Sequence, residues 1–267
     1  RLSPRPEHIP AWNDLSADDR KWEARRMEVF AAMVEVMDES VGRIVNYLKE
    51  EELLENTLVM FCSDNGACPF ERTRGGDKEP WDADSYWTYD ASWAHAGNTP
   101  FRLYKQNQHE GGISSPLVVH WPAGLKTKAG AITNQPGHLI DLMATFIDVA
   151  QAKYPSQIES RAIDPLQGQS LLPIFHGQQR TPHETLYFHF GTDRALRQGD
   201  WKLVSAKRGR WELYNMAEDR TELHDVASDM PDRVEAMSQQ WFRIAREVDR
   251  LSNKGLAPVK DTITPLN

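Results

Sequence analysis

Residues 57–66 have the sequence Thr-Leu-Val-Met-Phe-Cys-Ser-Asp-Asn-Gly. The run from Leu58 to Cys62 is continuously apolar, which is typical of a strand buried on both faces of a parallel sheet. A helix precedes this run, because apolar residues recur at three- and four-residue spacing between Phe30 and Leu48. We therefore predict an α/β fold in which a buried strand ends just before Asp64.

The segments further along the chain extend this pattern. Residues 117–121 lie between two prolines and predict a second buried strand, and residues 138–150 predict an amphipathic helix. After about residue 168, short β-like segments separated by glycines indicate an antiparallel meander, closed by a helix over about residues 231–251. We predict an α/β domain over residues 1–168 and a small α+β subdomain over residues 169–267.

The composition excludes several classes of protein. The 267 residues carry 31 basic and 39 acidic side chains, and the resulting net charge of −8 argues against a nucleic-acid-binding surface. Two cysteines exclude a disulfide scaffold. No run of about 18 apolar residues occurs, so the sequence predicts no transmembrane helix.

Two motifs contain side chains suited to chemistry. Asp64 and Asn65 follow the first predicted strand, and a carboxylate beside an amide carbonyl offers the hard oxygen donors that Ca²⁺ or Mg²⁺ prefers. Lys105 precedes the segment Glu110-Gly111-Gly112, and its point charge suits a sulfate or phosphate oxygen. Taken alone, the first motif is better explained as a plain Asn-Gly turn, and the second as a surface lysine in a hydrophilic loop.

Together, in this order and about 40 residues apart, the two motifs resemble those of a known enzyme family. The chain resembles the C-terminal half of a type I sulfatase, in the bacterial arylsulfatase branch of the alkaline-phosphatase-like superfamily. The segments that carry the resemblance are residues 2–5, 26–34, 63–66, 102–105, 110–113, 119–122 and 211–215.

The resemblance implies both a reaction and a set of site residues. Asp64 and Asn65 would complete a Ca²⁺ site, with Mg²⁺ as the alternative ion, and Lys105 would contact the sulfate and stabilise the leaving oxygen. The implied reaction is sulfate-ester hydrolysis, in which a formylglycine hydrate made from Cys or Ser attacks sulfur. His109 is predicted to approach the sulfate as a substrate-binding residue, and a hydrogen-bonded loop histidine is the alternative.

The sequence departs from the family at the nucleophile. The formylglycine motif, Cys or Ser followed by x-Pro-x-Arg, is absent from the 267 residues, and Cys68-Pro69 imitates it with the proline one place early. The family's N-terminal pair of Asp ligands is absent as well. We therefore expect the chain to be the C-terminal half of a longer enzyme and inactive alone. Formylglycine is then expected in a missing N-terminal half.

Two other functions share these features. One is a phosphonate or phosphodiester hydrolase of the same superfamily, and the other is a non-catalytic, truncated paralogue that acts as a binding module. The expected partners are an aryl or carbohydrate sulfate ester and either a second copy or the missing half, with no nucleic acid and no membrane span. Two cysteines fit a bacterial periplasm or cytoplasm equally well.

Overall fold

A computed structural model describes residues 2–72 and 78–252, with side chains through residue 248. The α-helices are α1 (Ala17–Glu50), α2 (Asp90–Asn98), α3 (Glu110–Ile113), α4 (Ile140–Val149), α5 (Leu172–Phe175) and α6 (Pro231–Ser252). The strands are β1 (Val59–Cys62), β2 (Leu117–His120), β3 (Gln157–Ile158), β4 (Arg161–Ala162), β5 (Leu186–Phe190), β6 (Asp193–Gln198), β7 (Trp201–Ser205) and β8 (Glu212–Asn215).

A side-chain cap fixes the start of the long helix α1. The hydroxyl of Ser16 accepts the backbone N–H of Asp19 at 3.1 Å and donates to the Asp19 carboxylate at 2.7 Å. This reciprocal pair satisfies one of the unpaired N–H groups that every helix start carries. The apolar residues spaced from Phe30 to Leu48 lie in this same helix, which runs without a break from its capped start to Glu50.

Strands β1 and β2 form where the two apolar runs predict, and they are hydrogen-bonded neighbours. Neither strand is buried on both faces: Phe61 is 46% exposed and Val118 is 61% exposed. The expectation of burial is therefore wrong for the described residues. The physical reason is that, among the described residues, each strand has only one hydrogen-bonded neighbour, so these side chains stay partly uncovered.

Strands β5 to β8 form the predicted antiparallel meander, in the order β5-β6-β7-β8. Leu196, Leu203 and Leu213 are fully buried on one face of this sheet. They pack in one core with Met237 and Trp241 from α6. The alternation of strand residues and the apolar stripe of the helix thus meet in one hydrophobic core.

Helix α2 lies in a segment predicted only as a long loop. Its sequence lacks apolar periodicity, and polar contacts fix its start instead. The Asp90 carboxylate accepts the backbone N–H of Ser92 at 2.9 Å. It also accepts Arg26 of α1 at 2.9 Å, and Arg26 is 4% exposed.

The chain divides into two compact units that do not follow its linear order. One unit contains residues 1–43, 62–117 and 185–267, and the other contains residues 44–61 and 118–184. The predicted domain boundary at residue 168 stays a prediction.

The polar centre of the second unit is Asp141, which is fully buried. Its carboxylate accepts Arg180 at 2.9 Å and contacts His183 at 2.6 Å, and it also accepts the backbone N–H groups of His138 and Gln169. These contacts lower the pKa of Asp141 despite its burial, so the buried carboxylate stays ionised. Four partners satisfy one buried charge and hold the unit's loops to α4.

Among residues 2–72 and 78–252, every helix is too short or too polar to cross a membrane.

Several apolar side chains are exposed in both units. The exposed apolar residues of α1 are Met33, Val34, Val36, Met37, Ile44 and Tyr47, and those of β1, β2 and α4 are Phe61, Leu117, Val118, Ile140, Met143 and Phe146. Apolar patches of this kind mark interfaces or promote aggregation.

We predict that the isolated 267-residue chain associates with a second copy or is poorly soluble, because the edges and faces of β1 and β2 remain open. Light scattering over a concentration series measures this. Val118→Lys should shift the chain towards monomer, whereas the matched exposed variant Glu39→Gln should not. A cooperatively unfolding monomer at every concentration would contradict the prediction.

Candidate functional site

The Asp64 loop, residues 63–67, follows β1. The hydroxyl of Ser63 donates to the carbonyl oxygen of Asn65 at 2.8 Å, which closes a tight turn. In the part of the chain that the structure describes, the side chains of Asp64 and Asn65 have no hydrogen-bond or ion-pair partner. Asp64 is exposed. Their oxygens are therefore uncommitted, as ligand oxygens need to be.

The Lys105 loop, residues 102–112, lies directly against the Asp64 loop. The backbone N–H of Gly66 donates to the carbonyl of Gly112 at 2.9 Å, and the N–H of Lys105 donates to the carbonyl of Ala67 at 3.0 Å. The two sequence motifs are therefore joined through their backbones.

Glycine is required where these loops meet. A Cβ atom on Gly66 would lie 1.8 Å from the carbonyl oxygen of Gly111, and one on Gly112 would lie 1.9 Å from the carbonyl oxygen of Asn107. Real Cβ atoms do not approach so closely. A larger residue at position 66 would push the two loops apart, and one at position 112 would distort the Lys105 loop itself.

Asn98, the last residue of α2, supports both loops with one side chain. Its amide nitrogen donates to the carbonyls of Leu103 at 2.9 Å and Gly111 at 2.7 Å. Its amide oxygen accepts the N–H of Ala67 at 3.2 Å. A single carboxamide thus cross-links the Asp64 loop to two points of the Lys105 loop.

Lys105 lies between two residues in a left-handed backbone conformation. Leu103 has φ 60° and Gln106 has φ 78°. Such conformations cost about 1–3 kcal/mol each for residues other than glycine and are stored where the surroundings fix them. No described carboxylate forms an ion pair with the Lys105 side chain, so its charge is available to a ligand.

His109 is buried, with an exposed fraction of 1%, and its Nε2 lies 3.1 Å from the Glu212 carboxylate. The same carboxylate oxygen accepts the hydroxyl of Tyr214 at 2.5 Å and Arg102 at 3.0 Å. Nδ1 of His109 has no hydrogen-bond partner among the described residues. The predicted contact of His109 with substrate stays a prediction, since the ring is occupied by Glu212 on one side.

The charge of Glu212 is fixed by this cluster. Burial alone would raise the pKa of Glu212, but the hydrogen bond and charge of His109, the hydroxyl of Tyr214 and the guanidinium of Arg102 lower it to about 2. The same burial and the adjacent carboxylate raise the pKa of Tyr214. At neutral pH, Glu212 is therefore an anion and Tyr214 a neutral donor.

The residues available for a metal are few. Asp64 and Asn65 supply two uncommitted oxygens, which suit a hard cation such as Ca²⁺. Within residues 2–72 and 78–252, no group of three or more His, Cys, Asp or Glu side chains is arranged to hold a metal ion. Ca²⁺ prefers about six to eight oxygens, so these two residues fit as part of a ligand set and not as a whole one.

The four predicted site residues all lie on the two adjoining loops, and His109 is the buried one among them. The structure adds residues that sequence patterns did not single out for the site: Glu212, Tyr214, Lys202 and Glu222. These residues lie more than ninety positions along the chain from Glu110, so no local spacing connects them to it. The one sequence signal for any of these residues was the segment 211–215, which contains Glu212 and Tyr214 and is part of the resemblance.

Comparison with known proteins gives consistent matches. Residues 4–152 match the sulfatase family, and residues 101–247 match the family described as N-sulphoglucosamine sulphohydrolase, C-terminal. An uncharacterized sulfatase of Schizosaccharomyces pombe is 31% identical over 214 residues, covering 73% of this chain and 38% of that protein. An arylsulfatase of Klebsiella aerogenes is 28% identical over 183 residues, covering 64% and 39%.

A solved structure shares the fold. Ps i-CgsB, crystallised in complex with k-i-k-neocarrahexaose, superposes with a TM-score of 0.60 and 26% identity, covering 92% of this chain and 46% of that one. The predicted α/β, alkaline-phosphatase-like fold class is thereby confirmed. The chain spans about two fifths of the length of these two curated relatives.

We predict that Glu212 stabilises the fold in a pH-dependent way. Because its folded pKa of about 2 lies below the ordinary value of 4.5, its contribution is complete above about pH 5 and is lost as the pH falls towards 2. The lowered pKa corresponds to roughly 3 kcal/mol at neutral pH.

Denaturant unfolding of the wild type and Glu212→Gln at several pH values checks this. The difference between their free energies of unfolding should shrink as the pH falls from 5 to 3. The exposed variant Glu218→Gln serves as the matched control and should show no such change. A difference independent of pH would rule out the ionised pair as its source.

Proposed function

This chain belongs to the sulfatase family, and we propose that it supplies the sulfate-binding lysine and part of the calcium site of a sulfuric ester hydrolase. One observation chiefly supports the proposal. The Asp64 and Lys105 loops are joined by backbone hydrogen bonds, while Asp64, Asn65 and Lys105 leave their polar side-chain atoms without partners among the described residues. A metal cation and a sulfate anion are both bound best by side chains whose backbone is fixed and whose polar atoms have no other partner.

The proposed metal ligands are Asp64 and Asn65. The carboxylate supplies charge and the amide carbonyl supplies a neutral oxygen, a combination that favours Ca²⁺, with Mg²⁺ as the alternative. A cation bound there would neutralise charge on sulfate oxygens. The other ligands would come from water, substrate or residues outside the described part of the chain.

The proposed role of Lys105 is electrostatic. Its ammonium group would bind a sulfate oxygen and stabilise negative charge that develops on the leaving oxygen. The hydrogen bond from its backbone N–H to the carbonyl of Ala67 holds the residue in place. Little reorganisation is then needed when the charge moves.

In the proposed reaction a formylglycine hydrate would supply the oxygen that attacks sulfur. None of the 267 residues lies in a Cys/Ser-x-Pro-x-Arg motif. The residues of this chain therefore bind and orient the ester and its charges, and the nucleophile would come from a longer form of the protein. We expect the 267 residues alone to be inactive.

The substrate class is proposed as an aryl or carbohydrate sulfate. One relative is named arylsulfatase, and the solved neighbour holds a neocarrahexaose. Assays of the longer form with nitrophenyl sulfate and with sulfated oligosaccharides would separate the two. Faster turnover of phosphonate or phosphate diesters would favour the alternative hydrolase, and binding without turnover of any ester would favour a binding module.

We predict that the isolated chain binds Ca²⁺ weakly, because it offers only two identified ligands. In a longer, active form, Asp64→Ala should weaken Ca²⁺ binding by at least about tenfold, the scale that losing even an outer-shell contact reaches. Calorimetry measures both, with exposed Asp148→Ala as the matched control. Micromolar binding by the isolated chain that Asp64→Ala leaves unchanged would refute the proposed ligands.

We predict that Lys105→Ala lowers kcat of the longer form for a sulfate ester by about 10²–10³-fold, the usual result of losing one charge-stabilising group. Steady-state kinetics measures the loss, and the exposed variant Lys153→Ala should retain the wild-type rate. A loss below about threefold would remove Lys105 from the site.

A further inference from the structure

Lys202, on β7, is a fully buried lysine with two anionic partners. Its Nζ lies 2.8 Å from the carboxylate of Glu110 and 2.8 Å from that of Glu222. All three residues have side chains at most 5% exposed. Burying three charges is costly unless each is paired in good geometry, so this cluster is under a strict geometric constraint.

The charges of the cluster stabilise one another. Burial alone would lower the pKa of Lys202, but the carboxylates of Glu110 and Glu222 outweigh it and raise that pKa. Burial likewise opposes ionisation of Glu110, yet Lys202 lowers its pKa. The amine is therefore an ammonium and Glu110 a carboxylate at neutral pH. The two carboxylates outnumber the one ammonium group, and the guanidinium of Arg220, 3.9 Å from the Glu110 carboxylate, adds a second positive charge nearby.

The cluster fixes the backbone as well as the side chains of the Lys105 loop. The carboxylate of Glu222 accepts the backbone N–H of Glu110 at 2.8 Å. Glu110 is thus held at its N–H by Glu222 and at its carboxylate by Lys202. The two residues that follow Glu110 are the glycines that contact the Asp64 loop.

We propose that Lys202 and Glu222 are positioning residues of the reaction. In this inference, which rests on the proposed function, they hold Glu110 so that Lys105 and the pair Asp64–Asn65 keep a fixed separation. Lys202 has no contact with the substrate in this role. It acts through Glu110 and the hydrogen bond between Gly112 and Gly66.

Stability alone does not account for this arrangement. A buried ion pair contributes little to stability compared with apolar residues of the same volume, because desolvation offsets its attraction. An apolar cluster would fill the same space but would not fix the direction of Glu110. A displacement of about 1 Å can cost about 100-fold in rate, so fixing that direction has a kinetic consequence.

The test uses the longer, active form of the protein and its double variant Lys202→Met/Glu222→Gln. This variant loses one positive and one negative charge, so its net charge equals that of the wild type. The amide oxygen that Glu222→Gln introduces still accepts the N–H of Glu110, and Arg220 stays 3.9 Å from the one carboxylate that remains, that of Glu110. Circular dichroism and denaturant unfolding check that the double variant folds before its kinetics are compared. Lys202→Met alone would strand two buried carboxylates and is therefore not used. Arg210→Ala, which breaks the ion pair between exposed Arg210, in the loop before β8, and Asp225, is the matched control.

We expect the double variant to lower kcat/KM for a sulfate ester by about 100-fold. In a Lys105→Ala background the same two changes should cost less than about threefold, since residues that act through Lys105 are not additive with it. Arg210→Ala should change neither value. Equal losses in both backgrounds would show a purely structural role and overturn the inference.

Hydrogen exchange gives a readout that does not depend on activity. The amides of Gly66 and Lys105 should exchange faster in the double variant, while that of Leu196, in the core of the sheet, should not change. Unchanged exchange at Gly66 and Lys105 would overturn the inference. If the wild type hydrolyses no sulfate ester, the proposed function fails, and the exchange result alone decides whether Lys202 positions the loop.

Discussion

A buried ammonium group requires anionic partners at fixed distances, and the positions of Glu110 and Glu222 follow from that requirement at Lys202. Glu110 begins the short turn whose glycines touch the Asp64 loop, so the constraint passes from the C-terminal sheet to the candidate site. The hydrogen bonds of Asn98 connect the same loops a second time. The site is thus held by polar contacts between distant parts of the chain.

The packing of the sheet makes this constraint rigid. The apolar face of β6, β7 and β8 lies against α6, and its leucines are fully buried. The opposite side of β7 carries Lys202, and β8 carries Glu212, which holds His109 and Arg102. One small sheet therefore uses one face for its larger hydrophobic core, and its other face combines a smaller apolar cluster around Ala195 and Val204 with the charged residues that support the Lys105 loop. Close packing limits how far such contacts can shift.

Local patterns predicted the elements but not their contacts. The spacing from Phe30 to Leu48, the apolar run of β1 and the glycine-separated strands all carry a period that the backbone enforces, so these elements were predictable. Helix α2 was missed because a polar contact of Asp90 fixes its start. The burial of Lys202 was not predictable, because the burial of a strand residue depends on which other elements pack against the strand. The half-exposed β1 shows the same limit, since a sequence does not show which layer covers a strand.

The central claim is that Lys105 and the pair Asp64–Asn65 bind the anion and the cation of one reaction centre. A crystal structure of the active, longer form with Ca²⁺ and inorganic sulfate tests it most directly. The account predicts a sulfate oxygen within hydrogen-bond distance of the Lys105 ammonium, and side-chain oxygens of Asp64 and Asn65 at about 2.3–2.6 Å from the ion. Sulfate or Ca²⁺ bound by other residues, with Lys105 facing solvent, would contradict it.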